Sequence, residues 1–217
     1  MFAIEIDGLE KTYVTRGARQ VALKGIDLHV REGEIFGFAG PNGAGKSTAI
    51  KILIGLMRPD QGRALVFGQT CGQTSTRQLI GYLPEVSSYH EFMTAEELLI
   101  VHAKLAGLPR TEIRPRCQEV LQMVGLAQRK NSRIREFSKG MKQRFGIAQA
   151  LVGRPRLLIL DELTSGLDPV AQQELLTIIR SLKREGITVF FSSHHMSEIE
   201  EVCDSAAIID HGLVHRQ

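Results

Sequence analysis

Five apolar residues in a row, Ile35-Phe36-Gly37-Phe38-Ala39, run without a break into Gly40-Pro41-Asn42-Gly43-Ala44-Gly45-Lys46-Ser47, and a helical pattern begins at Lys46. A strand without polar alternation is buried on both faces, so the chain must build a parallel or mixed sheet with a layer on each side. The turn after it matches GxxxxGK[ST] at every fixed position and lies between a strand and a helix, as that motif requires. Glycines 40, 43 and 45 let the backbone wrap so that successive N–H groups point inward, and the helix start adds positive potential. Lys46 can then neutralise the β- and γ-phosphates of a nucleotide while the Ser47 hydroxyl ligates Mg²⁺. Pro41, Asn42, Ala44 and Thr48 complete the segment expected to hold the phosphates. The plain alternative is a glycine-rich turn carrying an ordinary surface lysine.

A second site is acidic. Leu157-Leu158-Ile159-Leu160 is another doubly buried strand, and it ends at Asp161-Glu162. Open α/β sheets bind ligands beyond the carboxyl ends of their strands. Asp161 suits a hard Mg²⁺ ion, directly or through water, and Glu162 is placed to orient or deprotonate an attacking water. Alone, such a run would read as a solvated strand end; the glycine-rich loop upstream reverses that reading.

Between these two sites the character of the chain changes. The first forty residues read as β, with Phe2, Ile4 and Ile6 alternating with Ala3, Glu5 and Asp7, and Ile26, Leu28 and Val30 alternating with Asp27 and His29. A helix over 46–56 ends at the turn signal Arg58-Pro59-Asp60-Gln61-Gly62, and short strands follow at 65–67 and 80–83. Then β character disappears. Thr94-Ala95-Glu96-Glu97 predicts a capping box opening a helix to Leu105, with further helices over 111–124 and 139–151. Strands return at 157–160, 188–191 and 206–209, and the amphipathic segment 169–185 makes a strand–helix–strand unit between the first two.

The expectation is therefore an α/β chain with a P-loop NTPase core over 1–84 and 153–217, holding a mixed or parallel sheet and an N-terminal antiparallel β part, and with a helical subdomain inserted at 85–152. Its 217 residues, 43% hydrophobic and 24% charged, fit a folded domain and exclude a disordered tail or a fibre. A net charge of +3 spread along the chain excludes a nucleic-acid binder that works by a basic surface. The three cysteines form no CxxC pair, which argues against a zinc ribbon or a disulfide framework and for a reducing compartment. The longest stretch without charge, 64–76, is too short and too polar to cross a bilayer, and the start MFAIEIDGLEK lacks a basic segment followed by an apolar one, so no secretory leader is expected.

Taken in order, these motifs resemble the ATP-binding cassette of ABC transporters over nearly the whole chain. What that resemblance implies is the following. Tyr13 is similar to the aromatic residue that stacks on adenine. Phe137-Ser138-Lys139-Gly140-Met141-Lys142-Gln143-Arg144 resembles the signature LSGGQ in variant form, keeping Ser138 and Gly140, with Lys139 and Met141 as departures. Ser165-Gly166-Leu167-Asp168 resembles the segment after the catalytic glutamate, and His194, in Ser192-Ser193-His194-His195, resembles the switch histidine. Two cassettes of this family pair head to tail, so each ATP would lie between the phosphate loop of one copy and the Ser138 signature of the other, and hydrolysis would separate them. A homodimer, a transmembrane permease partner and a position on the inner face of the cell membrane through that permease are implied; no nucleic-acid partner is.

Two departures stand out. Glu85 occupies a position where most members have Gln, which would bring an extra carboxylate to the Mg²⁺ alongside Ser47 and Asp161. Leu163 replaces the usual Pro after Glu162. The combination of Glu85 with the SKGM signature is more similar to exporter cassettes than to nutrient importers. The rival function, a soluble ATPase of the same family acting on nucleic acid or the ribosome, would show a long coiled coil between Ser47 and Ser138 or a second cassette, and the sequence has neither.

Overall fold

The computed structural model describes residues 1–15 and 17–216. The chain opens with two long strands, β1 (Phe2–Thr15) and β2 (Ala18–Arg31), paired antiparallel. The doubly buried strand β3 (Ile35–Ala39) leads through the glycine loop to helix α1 (Lys46–Leu53). Strands β4 (Gln61–Val66) and β5 (Gln69–Thr70), the short helix α2 (Thr74–Gln78) and strand β6 (Ile80–Leu83) follow. Next come α3 (Ala95–Leu105), α4 (Arg110–Met123) and α5 (Lys139–Leu151). The chain then alternates β7 (Leu157–Asp161), α6 (Pro169–Arg184), β8 (Thr188–Ser193), α7 (Met196–Val202), β9 (Ser205–Asp210) and β10 (Leu213–Arg216).

Among the described residues these strands form two sheets. The antiparallel sheet has the order β2-β1-β4-β5, and the six-stranded sheet has the order β10-β9-β3-β8-β7-β6. In the larger sheet β9, β3, β8, β7 and β6 run parallel and only β10 is antiparallel, so it is mixed, as the unbroken apolar runs of β3 and β7 require. Every residue of β3, β7 and β8 is buried.

Alternate residues of those strands feed two cores. Phe36, Phe38, Leu157, Ile159 and Phe190 pack with α1 and the antiparallel sheet, where the Phe36 and Phe190 rings stack 5.7 Å apart. Ile35, Leu158, Leu160, Val189 and Phe191 face the other way and pack with residues of α3 to α7. The segment from α3 to α5 thus shares its core with one face of the larger sheet.

The local signals act as their chemistry dictates, with some differences in extent. The Thr94 hydroxyl accepts the Glu97 N–H at 3.2 Å while the Glu97 carboxylate accepts the Thr94 N–H at 2.9 Å, closing the expected capping box on α3. Helix α1 is shorter than expected. It stops at Leu53 because Gly55 adopts φ 73°, and the N–H groups of Gly55 and Leu56 turn back to the carbonyls of Ile52 and Lys51, which closes the helix in a Schellman motif. Strands β1 and β2 are longer than their alternating cores at 2–6 and 26–30 suggest, because residues 18–21 are exposed and carry no apolar signature.

The parallel register places three chain segments side by side at one sheet edge. Ala39 aligns with Ser193, and Asp161 with Ser192. The glycine loop, the Asp161-Glu162 pair and Ser192-Ser193-His194 therefore emerge together, at the edge where parallel sheets hold their ligands.

Candidate active site

The loop that follows β3 is shaped by what its glycines permit. A Cβ on Gly40 would come within 2.1 Å of the Ile209 carbonyl oxygen, so only glycine passes the end of β9 there. Gly45 sits at φ 117° immediately before α1, and a Cβ on it would come within 2.7 Å of the Ala22 carbonyl oxygen. The loop is tied down by Gly40 N–H donating to Ser193 O at 3.3 Å and Ala44 N–H to Pro41 O at 3.2 Å. Among the described residues, the N–H groups of Gly43, Gly45, Lys46 and Ser47 find no acceptor in the protein. Four unsatisfied donors at a helix start, aimed by a left-handed turn, fit an anionic ligand.

Lys46 is the cation beneath that cradle. Only 5% exposed, its Nζ donates to the carbonyls of Gly40 and Pro41 and lies 3.0 Å from Glu162 Oε1. Ser47 is half-buried on the same turn, and Thr48 is buried beneath it. Tyr13, on β1, reaches this region from the antiparallel sheet, with its hydroxyl 3.2 Å from the Thr48 hydroxyl and 3.3 Å from Met57 Sδ.

Asp161 and Glu162 are both buried. Asp161 accepts the Ser192 hydroxyl at 2.6 Å, and the same serine's Oγ and carbonyl oxygen accept the Glu162 N–H at 3.2 and 3.1 Å. Burial, followed by the Asp161 carboxylate, pushes the neighbouring Tyr82 hydroxyl up to about 12. Glu162 stands in the left-handed region at φ 49°. Its Oε2 lies 2.5 Å from His194 Nδ1, while Oε1 faces Lys46 at an angle that leaves it without a hydrogen bond. Burial works to raise its pKa, but the Lys46 ammonium 3.0 Å away and His194 on the other oxygen outweigh it and hold the carboxyl below its ordinary range.

The sheet edge thus gathers Lys46, Asp161, Glu162 and His194. The signature residues lie elsewhere. Ser138 caps α5 by accepting the Met141 N–H at 3.2 Å, and Gly140 packs against Ala171. Among the described residues no hydrogen bond or ion pair joins either to loop 40–48. Lys139 instead donates to the carbonyls of Ser165 and Gly166 at 2.8 and 3.2 Å, which ties the start of α5 to the segment after Glu162. Glu85 is exposed and lines a separate pocket with Lys139, Lys142 and Ser165. No group of three or more His, Cys, Asp or Glu residues among those described could hold a metal by itself.

Ser192 was not singled out from the sequence, yet it holds both acidic residues. Its only signal in the sequence is its place at the end of an apolar run; that it lies beside Asp161 emerges only from the strand register.

A family model described as ABC transporter matches residues 23–165, which include the loop, the cap of α5 and the Asp161-Glu162 pair. The chain belongs to the ABC transporter family. It is 44% identical over 209 residues to an uncharacterized ABC transporter ATP-binding protein of Nostoc sp., covering 94% of this chain and 62% of that protein. It is 42% identical to the bacitracin transport ATP-binding protein BcrA of Bacillus licheniformis, over 89% of this chain and 63% of that one. A relative of Thermobifida fusca named for methionine import, MetN, is 39% identical over 95% of this chain and 66% of its own. Among solved structures, the dimeric post-hydrolysis state of the ATP-binding cassette MJ0796 bound to ADP and Pi superposes with a TM-score of 0.87 at 25% identity, covering 98% of this chain and 97% of that one. The chain spans about three fifths of the length of the first curated relatives it matches. Among the described residues, no helix is long and apolar enough to cross a membrane.

Proposed function

We propose that this chain is the ATP-binding and hydrolysing cassette of a membrane transporter, that it works as a head-to-tail pair of copies, and that it lies against the cytoplasmic face of the membrane through a transmembrane permease. The observation that carries this reading is the convergence of the four unpaired N–H groups with Lys46, Glu162 and His194 at one sheet edge.

In this reading the segment 40–48 holds the phosphates, with Lys46 and the free amides as donors. Tyr13 borders the adenine. Mg²⁺, when bound, neutralises charge developing on the phosphates, and Ser47 and Asp161 are the oxygen donors suited to it. Glu162 acts as the base that orients or deprotonates water, and His194 holds the carboxylate on its Oε2 side. Lys46 cannot pair with Glu162 and with a phosphate equally. A phosphate drawing the Lys46 ammonium upward would free Oε1 for water, so the base is released only where a nucleotide is present.

Ser138 and Gly140, remote from loop 40–48 in their own chain, serve the nucleotide bound to the second copy. We read 85–152 as the helical subdomain that carries them and 1–84 with 153–217 as the nucleotide-binding core. Export is the direction we propose, supported by the pairing of Glu85 with the Lys139 and Met141 departures.

Capture of the tagged chain from solubilised membranes tests the assignment. A stoichiometric partner with several apolar spans is expected, and recovery of the chain on ribosomes or DNA instead would replace the transporter reading with its soluble rival. Glu85→Gln tests the third metal donor. Glu85 would join Ser47 and Asp161 only by an inward movement of its loop, so the substitution should move the midpoint of Mg²⁺ activation, by about threefold if one carboxylate–metal contact of roughly 0.6 kcal/mol net is lost. An identical titration would place this carboxylate outside the metal's shell.

A further inference from the structure

Glu198, on α7, belongs to none of the motifs above, yet it is only 6% exposed. Its Oε2 accepts two hydroxyl hydrogen bonds, from Thr164 Oγ1 and from Ser193 Oγ, each 2.7 Å long. Thr164 stands two residues after Glu162, and Ser193 immediately precedes His194; both are at most 1% exposed. The Ser193 hydroxyl also accepts the His195 N–H at 3.0 Å. One carboxylate oxygen therefore joins the exit of β7, the end of β8 and the first turn of α7. No cation pairs with it among the described residues. A carboxyl group withdrawn from water without a counter-charge is held by its hydrogen bonds alone.

Glu162 and His194 meet across this junction with 2.5 Å between Oε2 and Nδ1. Each sits within two residues of a hydroxyl that Glu198 holds. We propose that Glu198 is a positioning residue for hydrolysis. By fixing Thr164 and Ser193 on a single oxygen, it sets the separation and orientation of Glu162 relative to His194. Ser192 does the neighbouring task, joining Asp161 to the Glu162 backbone, so two consecutive serines hold the acidic strand end from both sides. This inference rests on the reading of Glu162 and His194 as the groups that act on ATP.

Glu198→Ala and Glu198→Gln separate this role from simple support of the fold, because a glutamine side chain keeps an oxygen that can accept both hydroxyls. Displacing a catalytic group by about 1 Å can cost on the order of 100-fold, so Glu198→Ala is expected to lower kcat about 10- to 100-fold. Its KM for ATP should stay within about twofold, since loop 40–48 is untouched, and Glu198→Gln should return kcat to within about threefold of wild type. Thr164→Val removes one arm only and keeps the test available should Glu198→Ala fail to fold; a kcat between those of wild type and Glu198→Ala is expected, and a wild-type value counts against the proposal. Rates are compared per folded molecule, with the folded fraction taken from thermal melts. An unchanged kcat in Glu198→Ala, or a deficit that glutamine does not restore, overturns the proposal. Glu162→Gln assayed alongside distinguishes the two levels. Full turnover in Glu162→Gln removes the reading of Glu162 as the base and this inference with it, whereas loss there with full turnover in Glu198→Ala removes this inference alone.

Discussion

Glu162→Gln is expected to bind ATP normally and turn it over at least about 100-fold more slowly, the span commonly lost with a general base. Glutamine has nearly the same volume, and its amide can keep contacts to Lys46 and His194, so the buried site at the end of β7 keeps its packing. What disappears is the acceptor for a proton from water. With binding intact and hydrolysis blocked, the paired state accumulates, and size-exclusion chromatography in ATP should show a dimer that the wild type forms only transiently. A variant hydrolysing at the wild-type rate would mean that Glu162 is not the base, and His194 would become the remaining candidate at that edge.

Lys46→Ala should act one step earlier. Among the described residues the ammonium is the one buried cation under the loop, and a charge-assisted hydrogen bond contributes about 1.5–3 kcal/mol. Loss of one such bond to phosphate should weaken nucleotide binding by roughly 10- to 150-fold, measurable with a fluorescent ATP analogue. Unchanged affinity would remove the assignment of 40–48 as the phosphate site. The same substitution strips Glu162 of its nearest positive charge. Because the Glu162 carboxyl is held below its ordinary pKa in the folded protein, it contributes stability that is fully present above its unfolded pKa and is lost as the pH falls through its folded one. Without Lys46 the folded pKa rises under burial, that contribution shrinks, and acid unfolding of Lys46→Ala should begin at higher pH than that of the wild type in thermal melts across the acidic range.

Much of this architecture was legible because the decisive residues act locally. Ile35–Ala39 and Leu157–Asp161 carry no polar alternation, and a strand of that kind has no place except between two layers. Gly40 and Gly45 are needed where they stand because a side chain would strike the carbonyls of Ile209 and Ala22, contacts formed by distant strands but announced by the motif. Capping behaved the same way at Thr94, which caps the helix that its side chain predicts, and Ser138 and Asp168 cap α5 and α6 by the same chemistry. The end of α1 was overestimated although its signal was present, since Gly55 is the residue that turns the last carbonyls inward.

What stayed hidden depends on pairing between distant segments. The exposed half of β2 is a strand because β1 runs beside it, and nothing in residues 18–21 announces that. Ser192 matters because register sets it beside Asp161, a fact about two strands separated by a helix. Glu198 had one faint signal. It shares its face of α7 with Ile199 and Val202, and a carboxylate on an apolar face must have partners there, but sequence alone does not supply Thr164 and Ser193. The Lys139 departure likewise acquires a meaning only when its ammonium is found on the Ser165 and Gly166 carbonyls.

The backbone of Glu162 bears on how such a chain evolves. At φ 49° a side chain with a Cβ costs about 1 kcal/mol or more that glycine would not, and this side chain is also a carboxylate withdrawn from water. The residue we propose as the base thus sits at a strained turn and is held there by its contacts with Lys46 and His194. Glycine would relieve the turn but leave the buried Lys46 ammonium without its carboxylate, so backbone relief and charge pairing pull this position in opposite directions.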